Sequence, residues 1–129
     1  MTDIPKTSGA ASAADVSAPP AVLTVLTTTD SAAKAESLAR GAVAARVAAC
    51  AQINGPVTSV YRWEDEVHAD PEWQVLFKTA TARFSALEEY IGREHDYDVP
   101  EIIAVPVTAG GAAYLRWVAE ETAVAGGAR

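Results

Sequence analysis

The sequence predicts an α+β fold in which helices pack on a single antiparallel sheet, and three observations support this. Residues 22–28 are β-branched at nearly every second position and apolar enough for a strand covered on both faces. Residues 57–63 and 73–79 alternate in side-chain character, which predicts two paired strands. Phe84, Leu87 and Ile91 recur at helical spacing, which predicts an amphipathic helix after the hairpin.

Composition limits the classes of function. The chain has 129 residues, half of them apolar, which is enough for one domain whose core needs no metal or disulfide. A net charge of -7 without any basic stretch argues against nucleic acid or a membrane surface as partner. The only cysteine is Cys50, and no signal peptide opens the chain, so we expect a cytoplasmic protein. We expect flexible ends at 1–21 and 124–129 around a domain at 22–123.

The first half of the chain predicts a strand, a helix and a second strand. Ser31 is a candidate N-cap for a helix over 32–49, whose many alanines allow close approach to a sheet. The next strand, 50–63, is interrupted by Asn54-Gly55-Pro56. Because proline cannot donate a ladder hydrogen bond, this strand should lie at an edge or contain a bulge.

The second half predicts a strand, a helix, another strand and a short helix. Residues 64–71 are interpreted as an acidic loop that joins the second strand to the third, at 73–79. The spacing of Ser85 and Glu88 predicts a capping box at the start of the second helix. Residues 102–107 predict the fourth strand, and a third helix follows it.

This element order predicts a ferredoxin-like βαββαβ arrangement with an added C-terminal helix. Two right-handed crossovers around a hairpin close as an antiparallel sheet in the order 4-1-3-2, with both main helices on one face. The second and fourth strands then form the edges, and these are the strands that carry Pro56 and Pro106.

The predicted sheet leaves more apolar surface than one subunit covers. We place Tyr61, Trp63, Trp73 and Phe77 on one face and expect a closed homo-oligomer. In it Trp63 and Trp73 would lie in the interface. The alternative is a monomer in which the third helix covers the second face.

The stretch from His95 to Glu101 is the best candidate for a site. Pro100 has a fixed φ and favours an extended residue before it, so the polar side chains here lie on a stiff connection. Imidazole can bind a transition metal, and Glu94, Asp98 or Glu101 could add an oxygen ligand. Alternatively, these groups only cap the helix and satisfy the backbone, because no pair of them has the spacing of a metal motif. No hydrolase or nucleotide-binding motif occurs, so we expect no enzyme.

Several segments in order resemble the CutA divalent-cation tolerance family over residues 22–118. The Tyr-Arg-Trp-Glu block at 61–64 and the His-x-Tyr-x-x-Pro-Glu block at 95–101 carry the resemblance, with support from 77–79 and 114–117. It implies a ferredoxin-like subunit in a homotrimer similar in plan to PII signalling proteins. It also implies binding of copper or another divalent cation and a role in metal tolerance, without catalysis.

Some members of that family bind copper through a cysteine in the first strand and two adjacent histidines in the helix-to-strand loop. This chain has Thr27 at the first position and Glu94-His95 at the other two. The resemblance therefore implies a weak site for a cation such as Cu²⁺ or Zn²⁺, with His95 as principal ligand and Glu94 or a neighbouring subunit's carboxylate assisting.

The alternative implied function is a PII-like signalling or scaffold trimer. Its intersubunit clefts would bind a small ligand or a partner, with Lys78 as a positive charge for an anion. The side chains expected to line these clefts are Tyr61, Trp63, Lys78, Tyr97 and Glu101.

Overall fold

The chain forms one four-stranded antiparallel sheet and three α-helices. The structure, a computed structural model, describes residues 19–124. Most of the flexible ends predicted at 1–21 and 124–129 therefore lies outside the described residues. The elements in order are β1 (Val22–Thr29), α1 (Ala32–Ala44), β2 (Cys50–Trp63), β3 (Glu66–Ala80), α2 (Phe84–Glu94, preceded by a 3-10 turn at Thr81–Arg83), β4 (Ile103–Pro106) and α3 (Ala112–Glu121). The predicted α+β class and order of elements are confirmed.

The strand order is β2-β3-β1-β4, which is the predicted order read from the other edge. β1 lies inside the sheet and pairs with β3 over its whole length, whereas β4 pairs only with Leu23 to Leu26. Pro56 and Pro106 both lie in edge strands, where a missing N–H costs no inner ladder bond.

The main core lies between one face of the sheet and the two main helices. Val25, Val75 and Phe77 are fully buried there, together with Leu38 of α1 and Leu87 of α2. Both helices therefore cover the same face, as the fold requires.

The opposite face is covered only at one end. Val22 points away from the main core and clusters with Leu115 and Val118 of α3. On β4, Ile103 and Val105 remain 52% and 54% exposed. The third helix thus leaves part of the second face open. Among the described residues, no helix has the length and apolar character needed to cross a membrane.

The hairpin is longer than the sequence predicts, and the acidic loop predicted at 64–71 is wrong. β2 and β3 stay paired out to Trp63 and Glu66, and a two-residue turn joins them. Both turn residues have positive φ, 51° and 65°, as a tight hairpin turn requires. Pro71 is tolerated because this part of β3 extends past β1 and has only one neighbouring strand.

The predicted bulge is confirmed, but its effect on facing was not anticipated. The register shifts by one residue between Asn54 and Val57. Side chains alternate along a strand, so one extra residue moves everything beyond it to the other face. Tyr61 and Trp63 consequently share a face with the even-numbered residues of β3. The prediction that they lie on the same face as Trp73 and Phe77 is wrong.

Two helix boundaries also differ from prediction. Ser31 does cap α1, since its Oγ accepts a 3.0 Å hydrogen bond from the Lys34 N–H, but the helix ends at Ala44 instead of Ala49. The chain leaves it through Arg46, whose φ is 62°. The capping box is wrong, because α2 begins one residue before Ser85 and has no side-chain cap.

Candidate functional site

His95 connects the loop after α2 to the central strand. Its Nε2 lies 2.7 Å from the Thr28 carbonyl oxygen, and its Nδ1 accepts a 3.0 Å hydrogen bond from the Tyr97 backbone N–H. Because a carbonyl can only accept, Nε2 carries the proton of the neutral ring and Nδ1 carries the lone pair. β4 stops pairing with β1 at Leu26, so His95 provides β1 with a donor just beyond the end of β4.

Neither ring nitrogen of His95 is free to bind a metal ion. A neutral imidazole binds metal through its unprotonated nitrogen, and here that nitrogen already accepts from Tyr97. Among residues 19–124, no group of three or more His, Cys, Asp or Glu side chains is placed to hold a metal. The described part of the chain therefore holds no preformed metal centre of that kind. Metal binding at His95 requires the Tyr97 N–H to leave Nδ1.

The other positions implicated by the resemblance lie apart from the imidazole nitrogens. Glu94 is exposed, and its Oε2 lies 3.4 Å from Nε of Arg93. Thr27 is fully buried, and its hydroxyl has no hydrogen-bond partner within the described chain. Lys34 fixes the end of α2 by donating to the Glu94 carbonyl over 3.1 Å.

A cleft of about 590 Å³ lies between the hairpin and the loop that His95 anchors. We call it the hairpin cleft. Its volume is in the range of small-molecule sites. The side chains that define it are Tyr61, Trp63, Glu72, Tyr97, Asp98 and Glu101. Four of the five residues predicted to line a ligand cleft are thus brought together.

Lys78 is the exception: within one chain it lies away from this cleft, and its predicted place in a cleft between subunits stays a prediction. It lies six residues along β3 from Glu72, near the start of the hairpin, and donates a 2.8 Å hydrogen bond to Oε1 of Gln52. No Lys or Arg lines the cleft among the residues that the structure describes. The cleft is therefore acidic. The predicted interface residue Trp73 packs partly buried against the main core.

Two phenol-to-carboxylate hydrogen bonds shape the hairpin cleft. Tyr97 Oη donates to Glu72 over 2.6 Å, and Tyr61 Oη donates to Asp70 over 2.5 Å. Burial, followed by the hydrogen bond to Glu72, raises the pKa of Tyr97 well above its ordinary value. The hydrogen bond to Asp70 is the main reason that the pKa of Tyr61 is raised. Both phenols keep their protons, so both carboxylates keep their donors.

Sequence reasoning missed Glu72 and Thr28, whereas Asp98 lies in the stretch that it selected. Glu72 was assigned to the boundary of the hairpin loop, but the bulged register pairs it with Val57 and brings it to Tyr97. If the third strand had been predicted to continue through Pro71, Glu72 would have been placed within the hairpin. Thr28 carries no sequence signal beyond its place in a strand.

A sequence model of the CutA1 divalent ion tolerance protein family matches residues 23–121. This chain belongs to the CutA1 family. The divalent-cation tolerance protein CutA of Thermus thermophilus is 43% identical over 98 residues, which are 76% of this chain and 95% of that protein. The solved structure of the Thermus thermophilus protein has a TM-score of 0.76 at 42% identity and covers 78% of this chain and 98% of its own.

CutA1 from Oryza sativa gives a TM-score of 0.78 at 34% identity, with 81% of this chain and 95% of the solved chain covered. The CutA homologue of Xenopus laevis is 37% identical over 67% of this chain, but the match spans only 57% of that longer protein. The ferredoxin-like fold of this CutA family member thus agrees with solved relatives.

Proposed function

We propose that this CutA family member contributes to divalent-cation tolerance by binding such cations weakly as a homotrimer. The proposal draws on the family membership and on one observation of the site: the His95 imidazole lies beside a cleft whose charged lining residues are all acidic. His95 packs against Tyr97 with ring centroids 4.6 Å apart, and Tyr97 lines the acidic cleft. A cation that reaches His95 therefore enters a region of negative potential.

His95 would be the principal ligand, assisted by Glu94 or by carboxylates of a neighbouring subunit. Binding of Cu²⁺ or Zn²⁺ at Nδ1 must displace the Tyr97 N–H, which already forms a hydrogen bond there. That cost favours an affinity in the micromolar range or weaker. Thr27 in place of a thiolate also removes a ligand that soft metals prefer.

Titration calorimetry with Zn²⁺ and with Cu²⁺ tests this assignment. We expect wild-type protein to bind and His95→Ala to lose the binding. His68→Ala is the matched control, because His68 stacks on Tyr61 in the hairpin and is not one of the predicted metal ligands. Heat that persists in His95→Ala, or no heat in the wild type, would reject His95 as the ligand.

The homotrimer is proposed from apolar surface that one subunit leaves open. Trp63 at the hairpin tip is 52% exposed, and Val60 and Val67 nearby are more exposed still. β2 and β4 are free edges that can pair with a second chain. Sedimentation equilibrium should give three chain masses with and without copper.

Truncation of Trp63 tests where the subunits meet. Trp63→Ala should weaken association by at least about 2 kcal/mol if the ring is central in the interface. Val43→Ala, an exposed position on α1, should leave the mass unchanged. A wild-type protein that stays monomeric and folded would refute the homotrimer.

A second candidate function is a PII-like signalling or scaffold protein that binds a small ligand in the hairpin cleft. The observation in its favour is the convergence of Tyr61, Trp63, Tyr97 and Glu101 on one cavity. A panel of cationic, neutral and anionic fragments observed by amide NMR tests it. At least one fragment should shift signals of Tyr97 and Thr28 while leaving Gly92, at the exposed surface of α2, unchanged.

We further propose a cytoplasmic location and no catalytic role, from the single cysteine and the lack of a catalytic motif. One relative is named chloroplastic, from Arabidopsis thaliana, and another periplasmic, from Archaeoglobus fulgidus. Fractionation of the source cells distinguishes these locations.

A further inference from the structure

The charged lining of the hairpin cleft has a single sign. Glu72, Asp98 and Glu101 line it, and within the described chain no Lys or Arg does. A smaller recess that shares Glu72 with the cleft adds Asp30 and Asp70. Such a lining raises the local concentration of cations and repels anions.

The hydrogen-bonding groups of the cleft are mainly acceptors. The phenolic protons of Tyr97 and Tyr61 are already donated to Glu72 and Asp70. What these groups still present is carboxylate and phenol lone pairs. Ammonium and guanidinium groups are the complementary species, because they donate hydrogen bonds and accept none.

Aromatic rings form a second part of the cleft lining. Tyr61, Trp63 and Tyr97 all line the cavity. Aromatic faces attract cations, and Trp does so best. A cavity of about 590 Å³ is far larger than a bare metal ion needs, so the rings suit a cation that carries a carbon frame.

Thr28 is a further polar residue of the cleft lining. It is only 7% exposed, it lines the cleft, and its carbonyl is used by His95. Its hydroxyl adds a group that can accept a hydrogen bond from a donor in the cleft.

We propose that the hairpin cleft binds a small organic cation, an ammonium or guanidinium group on an apolar frame. The inference rests on the second candidate function, the ligand-binding cleft, and names its ligand class. It replaces the anion expected from Lys78, which lies outside the cleft and is hydrogen-bonded to Gln52.

Two probes that share one ring and differ in charge test the proposal. Benzylammonium and benzoate are titrated into the full-length protein by calorimetry at neutral pH. Benzylammonium should bind and benzoate should not. Glu72→Gln and Glu101→Gln should each weaken benzylammonium binding at least about tenfold, the loss expected when a charged hydrogen-bond acceptor becomes neutral.

Glu88→Gln is the matched control, because Glu88 is an exposed carboxylate of α2 outside the cleft. Its affinity for benzylammonium should equal that of the wild type. Circular dichroism of each variant checks the fold, and glutamine can still accept the Tyr97 hydrogen bond in Glu72→Gln. A Trp63→Ala variant should weaken binding as well.

The outcomes separate this inference from the proposed functions. Benzoate binding at the cleft would overturn the cationic class and leave a ligand cleft standing. If other fragments shift the amide NMR signals of Tyr97 while benzylammonium gives no binding heat, the cationic class would again be overturned and a ligand cleft would stand. Zinc binding that depends on His95 with no benzylammonium binding would overturn only the present inference. Equal losses in Glu88→Gln and Glu72→Gln would also overturn it.

Discussion

Replacement of His95 by alanine is expected to destabilise the protein even without any metal. The variant loses the 2.7 Å hydrogen bond to the Thr28 carbonyl and the 3.0 Å bond from the Tyr97 N–H. Two neutral hydrogen bonds contribute about 2 kcal/mol net, and a buried carbonyl left without a partner adds a cost of about 1 kcal/mol or more. The ring contact with Tyr97 contributes about 0.5 kcal/mol. The free energy of unfolding should therefore fall by about 3.5 kcal/mol.

The assay is urea unfolding followed by far-UV circular dichroism. All variants are compared at one protein concentration, because subunit association makes the midpoint depend on concentration. His95→Gln keeps a donor for the Thr28 carbonyl and should recover about half of the loss. His68→Ala removes a stacking contact with Tyr61 at 5.4 Å and should cost less than about 1 kcal/mol.

A loss in His95→Ala no larger than that in His68→Ala would refute the reasoning. It would mean that the two hydrogen bonds do not hold the loop to β1. Nδ1 would then be available to a cation at little cost, and a tight metal site at His95 would become the better interpretation.

Three further perturbations test other parts of the structure. Gly41→Ala should lower the free energy of unfolding despite a helix-propensity gain of about 1 kcal/mol, because the new Cβ would clash with the Tyr90 phenol oxygen. In a Tyr90→Phe background the same substitution should cost less. Equal losses of unfolding free energy in the two backgrounds, measured by urea unfolding, would contradict the clash. Tyr97 has a pKa raised above 10.0 in the folded protein, so from pH 10 upward the unfolded chain loses the phenol proton first and the free energy of unfolding falls with pH. Tyr97→Phe should make this fall with pH less steep. An unchanged slope of unfolding free energy against pH would contradict the prediction. Asp65→Gly should raise the free energy of unfolding by about 1 kcal/mol, because Asp65 has a φ of 65° and glycine adopts a positive φ without the steric cost of a Cβ. A lower free energy of unfolding in the variant would contradict this turn geometry.

The fold was predictable because its determinants are local. Side-chain periodicity identifies β1, β3 and α2, and Pro56 and Pro106 mark the two edge strands. An element with neither a periodic apolar pattern nor an edge proline could not have been predicted in this way.

The hairpin could not be predicted in full because its register depends on one bulged residue. Asn54-Gly55-Pro56 predicts an edge or a bulge, but nothing in the sequence states that β2 gains one residue there relative to β3. That single residue decides that Tyr61 faces Asp70 and that Glu72 reaches Tyr97. The acidic character of the cleft follows from this register, so charge counting along the sequence could not reveal it.

The state of His95 was also beyond sequence reasoning. A histidine at the end of a helix is compatible with a free ligand and with a ring whose two nitrogens are both engaged. The choice depends on how far β4 extends along β1, since the Thr28 carbonyl is available only because β4 stops pairing at Leu26. That length is a tertiary property.

The two proposed sites share Tyr97, and this makes them physically dependent. Its backbone N–H donates to Nδ1 of His95, the proposed metal ligand, and its phenol donates to Glu72 of the hairpin cleft. The loop therefore makes one hydrogen bond to each proposed site. A cation that takes the Nδ1 lone pair releases the first contact and loosens the second, whereas an organic cation that braces Tyr97 against Glu72 keeps Nδ1 occupied. Coupling between two binding equilibria is reciprocal, so each ligand must weaken the other by the same factor. Cation tolerance and ligand recognition in this protein would then be alternative states of one loop, with His95 deciding between them.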